Sequence, residues 1–280
     1  MITSKASDAR AARLARLRAR LTSRYALRDI AISLDGSTQP LIEAAPADPD
    51  APLDAMAAAL ARRPDSPSAS ARTAKPATYG ARAAAGLARA TIAEGAHLPY
   101  WALLWPSGLA LAEALLAAPE TIRGRKTLEL GCGLGSTAAV ALALGARLTV
   151  SDLFPDALLF TAYNCQRYVG CIPTRLLLNW RTSAGRAALR AAAPYETLLA
   201  ADVLYEQDDI ALLLELVPAL LAPNGTFWLA EPGRKASRAF IAATATANGW
   251  RGWTHSEAIY ERAWPPDSDV VRVSVHQFIR

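Results

Sequence analysis

The chain has 280 residues, 52% of them hydrophobic and 20% charged, a composition that buries a core and excludes a disordered chain. The formal charge is +5, but the first 28 residues hold eight basic side chains and one acid, leaving 22 basic against 24 acidic residues in the rest. A near-neutral body with a basic N-terminal segment argues against a chain built throughout to bind polyanions.

Residues 6–27 read as an amphipathic helix with Leu14, Leu17 and Leu21 on one stripe and arginines around it, a solvated helix lying on the body. IAISL and the run ending PLIE flank Asp35-Gly36 and suggest a β-hairpin. From Ala44 to Pro76 the chain is rich in Ala, Pro, Ser and Asp and reads as linker, with one short helix at Leu53 to Arg63. From Leu98 onward strands and helices alternate. KTLEL, RLTVSD, TRLLLNW, TLLAADVLY and TFWLAEPG read as strands. STAAVALAL, PDALLFTAYNCQRYV, DIALLLELVPALLAP and KASRAFIAATATANG read as helices, the last closed by Gly249. Two late strands, THSEAIYER and VVRVSVHQFI, complete the chain. Helix-length segments between strands imply right-handed crossovers and a parallel sheet covered on both faces, with ligands at the carboxyl ends of the strands. The expected organisation is an N-terminal extension over 1–97 and an α/β domain over 98–280.

Three cysteines without C-x-x-C spacing exclude a disulfide framework and a zinc knuckle and suit a reducing compartment. Cys132 reads as a small buried side chain. His97, His255 and His276 lie far apart in sequence, supply no metal motif and read as surface or packing residues. No metal site is expected. No stretch of about 18 apolar residues exists, so no membrane span is expected. Without an apolar signal core the expected location is cytoplasmic; the Arg/Ala/Ser content at the start looks like a mitochondrial transit peptide, but the whole chain is Ala/Arg-rich and composition alone gives the same look.

Gly131, Gly133 and Gly135 fall between the first domain strand and its helix, where glycine lets the backbone approach a ligand closely. Ser136 stands where a dinucleotide fingerprint needs Gly or Ala, and no Lys follows as a phosphate-binding P-loop requires. Glu129 stands two residues before the first glycine. An acid there opposes a pyrophosphate and favours a cation such as S-adenosylmethionine, which carries a sulfonium and an ammonium. Asp152 ends the second strand, the position from which an acid accepts hydrogen bonds from ribose hydroxyls.

LELGCGLG fits the E/D-x-G-x-G-x-G motif at every specified position, and over Leu98 to Arg280 the chain resembles the class I S-adenosylmethionine-dependent methyltransferases. The resemblance implies a Rossmann-like seven-stranded sheet with the last strand antiparallel. PYWALLWPSG and ADVLYE are similar to segments of the family 16 protein methyltransferases, a branch rich in lysine methyltransferases, whose D-x-x-Y motif Asp202 and Tyr205 match. The pair PYWALLWPSG and EPGR is similar to the branch acting on the electron-transfer flavoprotein β-subunit, which usually has Asp where Glu231 stands.

By that resemblance Asn179 and Trp180 contact the adenine, Trp105 walls the cofactor pocket, and Asp202 and Tyr205 orient the acceptor amine. Trp101 reads as core, and Glu231 to Arg234 as a turn. The implied activity is an N-methyltransferase acting on a protein lysine. Alternatives are a small amine or protein histidine as acceptor, or a nucleic-acid modifier using the basic helix. The last is disfavoured because ADVLY stands where nucleic-acid amine methyltransferases carry N-P-P-Y/F.

Overall fold

The computed structural model describes residues 2–37, 40–52, 99–263 and 270–280. The expected helix at 53–63, most of the linker, His97 and Leu98 lie outside the described residues.

The chain opens with α1 (Ile2–Thr22) and an antiparallel pair, β1 (Leu27–Ile32) and β2 (Leu41–Pro46). The helix stops five residues short of the expected end because Leu27 already pairs with Pro46 in the ladder. α2 (Pro106–Ala117) precedes the main sheet. There follow β3 (Lys126–Leu130), α3 (Ser136–Ala143), β4 (Arg147–Asp152), α4 (Pro155–Val169), β5 (Thr174–Leu177), α5 (Ser183–Ala192) and β6 (Tyr195–Ala201). The chain ends with α6 (Asp208–Leu220), β7 (Leu221–Glu231), α7 (Lys235–Thr244), β8 (Thr254–Ala263) and β9 (Val270–Ile279).

The sheet order is β5-β4-β3-β6-β7-β9-β8. β3 pairs in parallel with β4 and β6, β4 with β5, and β6 with β7, whereas β9 runs antiparallel to both β7 and β8. The expected seven strands and antiparallel last strand are therefore present. Strands with apolar side chains on both faces need two covering layers. Leu109, Leu111, Val140 and Leu158 of α2, α3 and α4 build one core. Leu189, Leu213, Leu216 and Phe240 of α5, α6 and α7 build the other.

Strand order reverses between β3 and β6, so the loops after these two strands diverge and leave a crevice at their carboxyl ends. Sequence reading missed α5, a short helix whose Thr182 side chain accepts from Gly185 N–H at 3.0 Å. α7 ends at Thr244 rather than at Gly249, which lies in a 3₁₀ turn, Asn248–Trp250. β7 starts at Leu221, taking residues read as helix.

The N-terminal elements pack on the domain. Leu17 and Leu21 join a cluster with Trp101, Phe160 and Tyr163. Tyr25 donates to Asp156 at 2.7 Å, and Asn164 of α4 clasps β2 by accepting from Ala44 N–H and donating to Ala44 C=O, at 2.9 and 3.0 Å.

Candidate functional site

The turn out of β3 passes through three left-handed glycines: Gly131 at φ +70°, Gly133 at +52° and Gly135 at +99°. These values favour glycine because a β-carbon would crowd the following carbonyl. At Gly135 the exclusion is also external, since an added Cβ would lie 2.8 Å from Thr161 Cα. The loop is bound from several sides. Gly131 and Cys132 N–H donate to Ser151 C=O at 2.9 and 3.1 Å. Thr161 donates to Gly133 C=O at 2.9 Å, and Asn164 to Leu134 C=O at 2.9 Å. The 3₁₀ turn Tyr100–Ala102 lies against Gly133 through the Trp101 backbone. Trp101 itself is buried core, as expected.

Asp152 ends β4 with its carboxylate turned onto this loop, accepting from Gly133 N–H at 3.1 Å and Phe154 N–H at 2.9 Å. Burial raises its pKa while those N–H groups oppose the rise. Glu129 is buried, its Oε2 has no hydrogen-bond partner, and desolvation, then Asp152 and Glu43, raise its pKa well above the usual carboxylate range. Cys132 is buried, with its thiol pushed up by burial and then by Asp152 and Glu129, which fits a packing residue rather than a nucleophile.

After β5, Asn179 Oδ1 accepts from Arg181 N–H at 2.9 Å. Trp180, expected to contact the adenine, is largely covered. It is 6% exposed, packs with Leu128, Leu130 and Leu189, and carries the Arg181 guanidinium 4.5 Å from its ring centroid. An apolar indole beside a hydrophobic face gains more from burial than from waiting for a ligand.

β6 ends at Ala201, earlier than TLLAADVLY suggested, because Asp202 turns into the left-handed region at φ +52°. Asp202 is buried, and Arg234 grips it with both ends of its fork, Nε–Oδ1 2.7 Å and Nη2–Oδ2 2.9 Å. Tyr205 is 42% exposed, with its ring 5.8 Å from that of Tyr100 and 5.4 Å from the Arg181 guanidinium. Desolvation, then the Asp202 carboxylate, raise its phenol pKa, so it stays protonated. Trp105 donates to Tyr100 C=O at 2.8 Å and lies under the Arg234 guanidinium at 5.9 Å. Tyr100, Trp105 and Tyr205 thus rim one mouth, held by Arg234–Asp202 on one side and Arg181–Asp209 (2.6 and 2.9 Å) on the other.

Sequence reading missed Tyr100, Arg181, Asp209 and Glu43. It read Glu231 to Arg234 as a turn and part of the family resemblance without giving Arg234 a partner, although an arginine directly after E-P-G, at the carboxyl end of a sheet strand, was a usable signal. It also left the histidines as isolated. His255 and His276 in fact stand 3.1 Å apart, and His276 Nε2 is 3.6 Å from Glu231. Among the described residues no group of three or more His, Cys, Asp or Glu could hold a metal ion.

A model of the family described as lysine methyltransferase matches residues 93–246. The chain belongs to this family. Its match to the Danio rerio electron transfer flavoprotein beta subunit lysine methyltransferase is 49% identical over 69 residues, 24% of this chain and 27% of that protein. The Xenopus laevis protein of the same name is 30% identical over 138 residues, 49% of this chain and 53% of that one. The mouse EEF1A lysine methyltransferase 3 is 30% identical over 142 residues, 50% and 59% respectively. These alignments span between about a quarter and three fifths of the relatives' lengths. These relatives differ in the protein named as substrate.

Proposed function

We propose that the chain is an S-adenosylmethionine-dependent protein methyltransferase acting on a lysine side chain. The observation carrying this reading is the placement of Asp202 and Tyr205 in an aromatic mouth beside a glycine loop whose flanking acids, Glu129 and Asp152, have no cationic partner among the described residues. An uncompensated buried carboxylate is costly, and a cationic cofactor at the loop would relieve that cost. Glu129, the three glycines and Asp152 would hold the amino-acid and ribose parts. Asn179 and Trp180 stand at the adenine end by their place after β5, with Arg181 interposed on the indole. Trp105 walls the side facing the acceptor.

Bound there, S-adenosylmethionine supplies an electrophilic methyl group on its sulfonium. The acceptor must be a neutral amine, and a free lysine has a pKa near 10.4. The mouth favours deprotonation by desolvating the amine between Tyr100, Trp105 and Tyr205. Tyr205, protonated, cannot serve as a base; it orients. Asp202 accepts the amine N–H and aligns the lone pair, so alignment supplies most of the rate. The cytoplasm suits the three unpaired cysteines, two of them buried and Cys171 exposed.

The relatives make the electron transfer flavoprotein β-subunit the first acceptor to try. Incubated with that subunit and labelled S-adenosylmethionine, the chain should add methyl groups to lysine, read by peptide mass spectrometry. Asp202→Ala should keep cofactor affinity and lose transfer. Label on histidine, or on added RNA and not on protein, would overturn the lysine reading.

A further inference from the structure

Seven acidic side chains are buried among the described residues: Glu43, Glu113, Glu129, Asp152, Asp202, Asp209 and Glu231. Four have a basic partner. Glu113 meets Arg262, Asp202 meets Arg234, Asp209 meets Arg181, and Glu231 meets His276. For Glu43, Glu129 and Asp152 no cation of the described residues is among the groups that act on them. These three are the acids at the glycine loop. Asp152 is satisfied by backbone N–H groups, but Glu43 Oε1 and Glu129 Oε2 are each buried without a hydrogen-bond partner. Three of the buried carboxylates elsewhere in this fold meet an arginine of the chain and the fourth a histidine, so a pair left open among the described residues marks where a cation from outside is received.

Glu43 reaches the loop from far away in sequence. It sits on β2, opposite Ile30, and accepts from the Ser136 hydroxyl at the first residue of α3. The next residue, Ala44, is the one that Asn164 clasps, and the same Asn164 amide donates to Leu134 in the loop. Hairpin, loop and α4 are therefore one hydrogen-bonded unit that fixes the Glu43 backbone relative to the glycines. Ser136 of α3 bonds Glu43, whose charge acts on Glu129 of β3 and Cys165 of α4; Asp152 of β4 also acts on Glu129, and both of these acids act on Cys132 of the loop.

We propose that Glu43, carried in by the N-terminal hairpin, is a cofactor-binding residue that joins Glu129 in receiving the α-ammonium group of S-adenosylmethionine. The inference rests on the cofactor reading above. It makes the N-terminal segment part of the cofactor site rather than a cover over it. Without ligand the pair shares its burden by holding protons, and burial keeps Glu43 at about 7. An ammonium arriving beside it favours the ionised form, so binding releases protons near neutral pH.

Calorimetry on the full chain tests this with three ligands: S-adenosylmethionine, S-adenosylhomocysteine, and the analogue of S-adenosylhomocysteine lacking its α-amino group. Glu43→Gln keeps an acceptor for Ser136. It should weaken the first two ligands by the same factor, about 10- to 100-fold, the range for hydrogen bonds to charged groups. It should leave the deaminated analogue unaffected. Titrations at pH 7 in two buffers of different ionisation enthalpy should show proton release by the unmodified chain and less by the variant. If Glu43→Gln binds S-adenosylhomocysteine as the unmodified chain does, or weakens the deaminated analogue equally, the residue only props the hairpin and the proposal fails. If the unmodified chain binds none of the three, the cofactor reading itself fails.

Discussion

Removing the Arg234 guanidinium tests how the acceptor mouth is held. Asp202 stands on a left-handed backbone with its side chain 7% exposed, and its carboxylate is bound by two parallel N–H···O contacts of 2.7 and 2.9 Å. Breaking a fully buried ion pair costs about 3–5 kcal/mol. The Arg234 side chain is 38% exposed, so water replaces part of what it supplied and the discounted cost of Arg234→Met is about 1–2 kcal/mol. For a domain of this size that lowers Tm by about 2–8 °C. Asp202→Asn is the companion change, because Asn tolerates φ +52° while losing the charge. In a double-mutant cycle the two substitutions should couple by about 1–2 kcal/mol in unfolding. In turnover, each single variant should lower kcat about tenfold or more with cofactor affinity unchanged, since a misplaced carboxylate misaligns the amine. Arg234→Lys keeps the charge without the fork and should recover only part of the loss. Additive effects within about 0.3–0.5 kcal/mol, or a kcat untouched by Arg234→Met, would refute the claim that this pair sets Asp202.

Further outcomes follow from the same geometry. Gly135→Ala should abolish cofactor binding by calorimetry and destabilise the fold by about 1–2 kcal/mol or more, because its Cβ at φ +99° meets the Thr161 backbone at 2.8 Å. Asn164→Ala removes three buried contacts between β2, α4 and the loop, and hydrogen exchange should speed up at Ala44 and around Leu134 together. Tyr205→Phe should leave the alkaline limb of the pH–rate profile unmoved, because the phenol is raised above its ordinary range and does not titrate there. Between its ordinary 4.5 and about 7, Glu43 keeps a proton in the fold that the unfolded chain has lost, so its contribution to stability falls as pH rises through that window. Urea midpoints from pH 5 to pH 8 should decline less steeply in Glu43→Gln.

Local features carried most of the sheet into the sequence. RLTVSD and PDALLFTAYNCQRYV match β4 and α4 residue for residue, because each is bounded by its own turn chemistry and period. α5 was hidden because its signal is one stripe, Leu189 and small residues, between a four-residue strand and β6. Glu129, the glycines and Asp152 were legible as a candidate site because their spacing is local to one strand–loop–helix–strand unit. Nothing in the string LLLNWR says that Arg181 folds back over the Trp180 ring. Arg234 is separated from Asp202 by 32 residues and meets it only because β6 and β7 are parallel neighbours.

The charge distribution links these cases. The basic excess lies in the first 28 residues, and that segment is held to the body partly through acids of the body itself, as Arg24 and Tyr25 are by Asp156. Exposed pairs of this kind add little to stability. The attachment depends instead on Leu17, Leu21 and the buried Asn164 clasp, which bring β2 against the glycine loop. A helix needed only as a basic surface would not require that clasp, nor a glutamate buried beneath it. The hairpin's apolar and hydrogen-bonded docking therefore matters for the site through the one acid it delivers, while the arginines outside remain solvated.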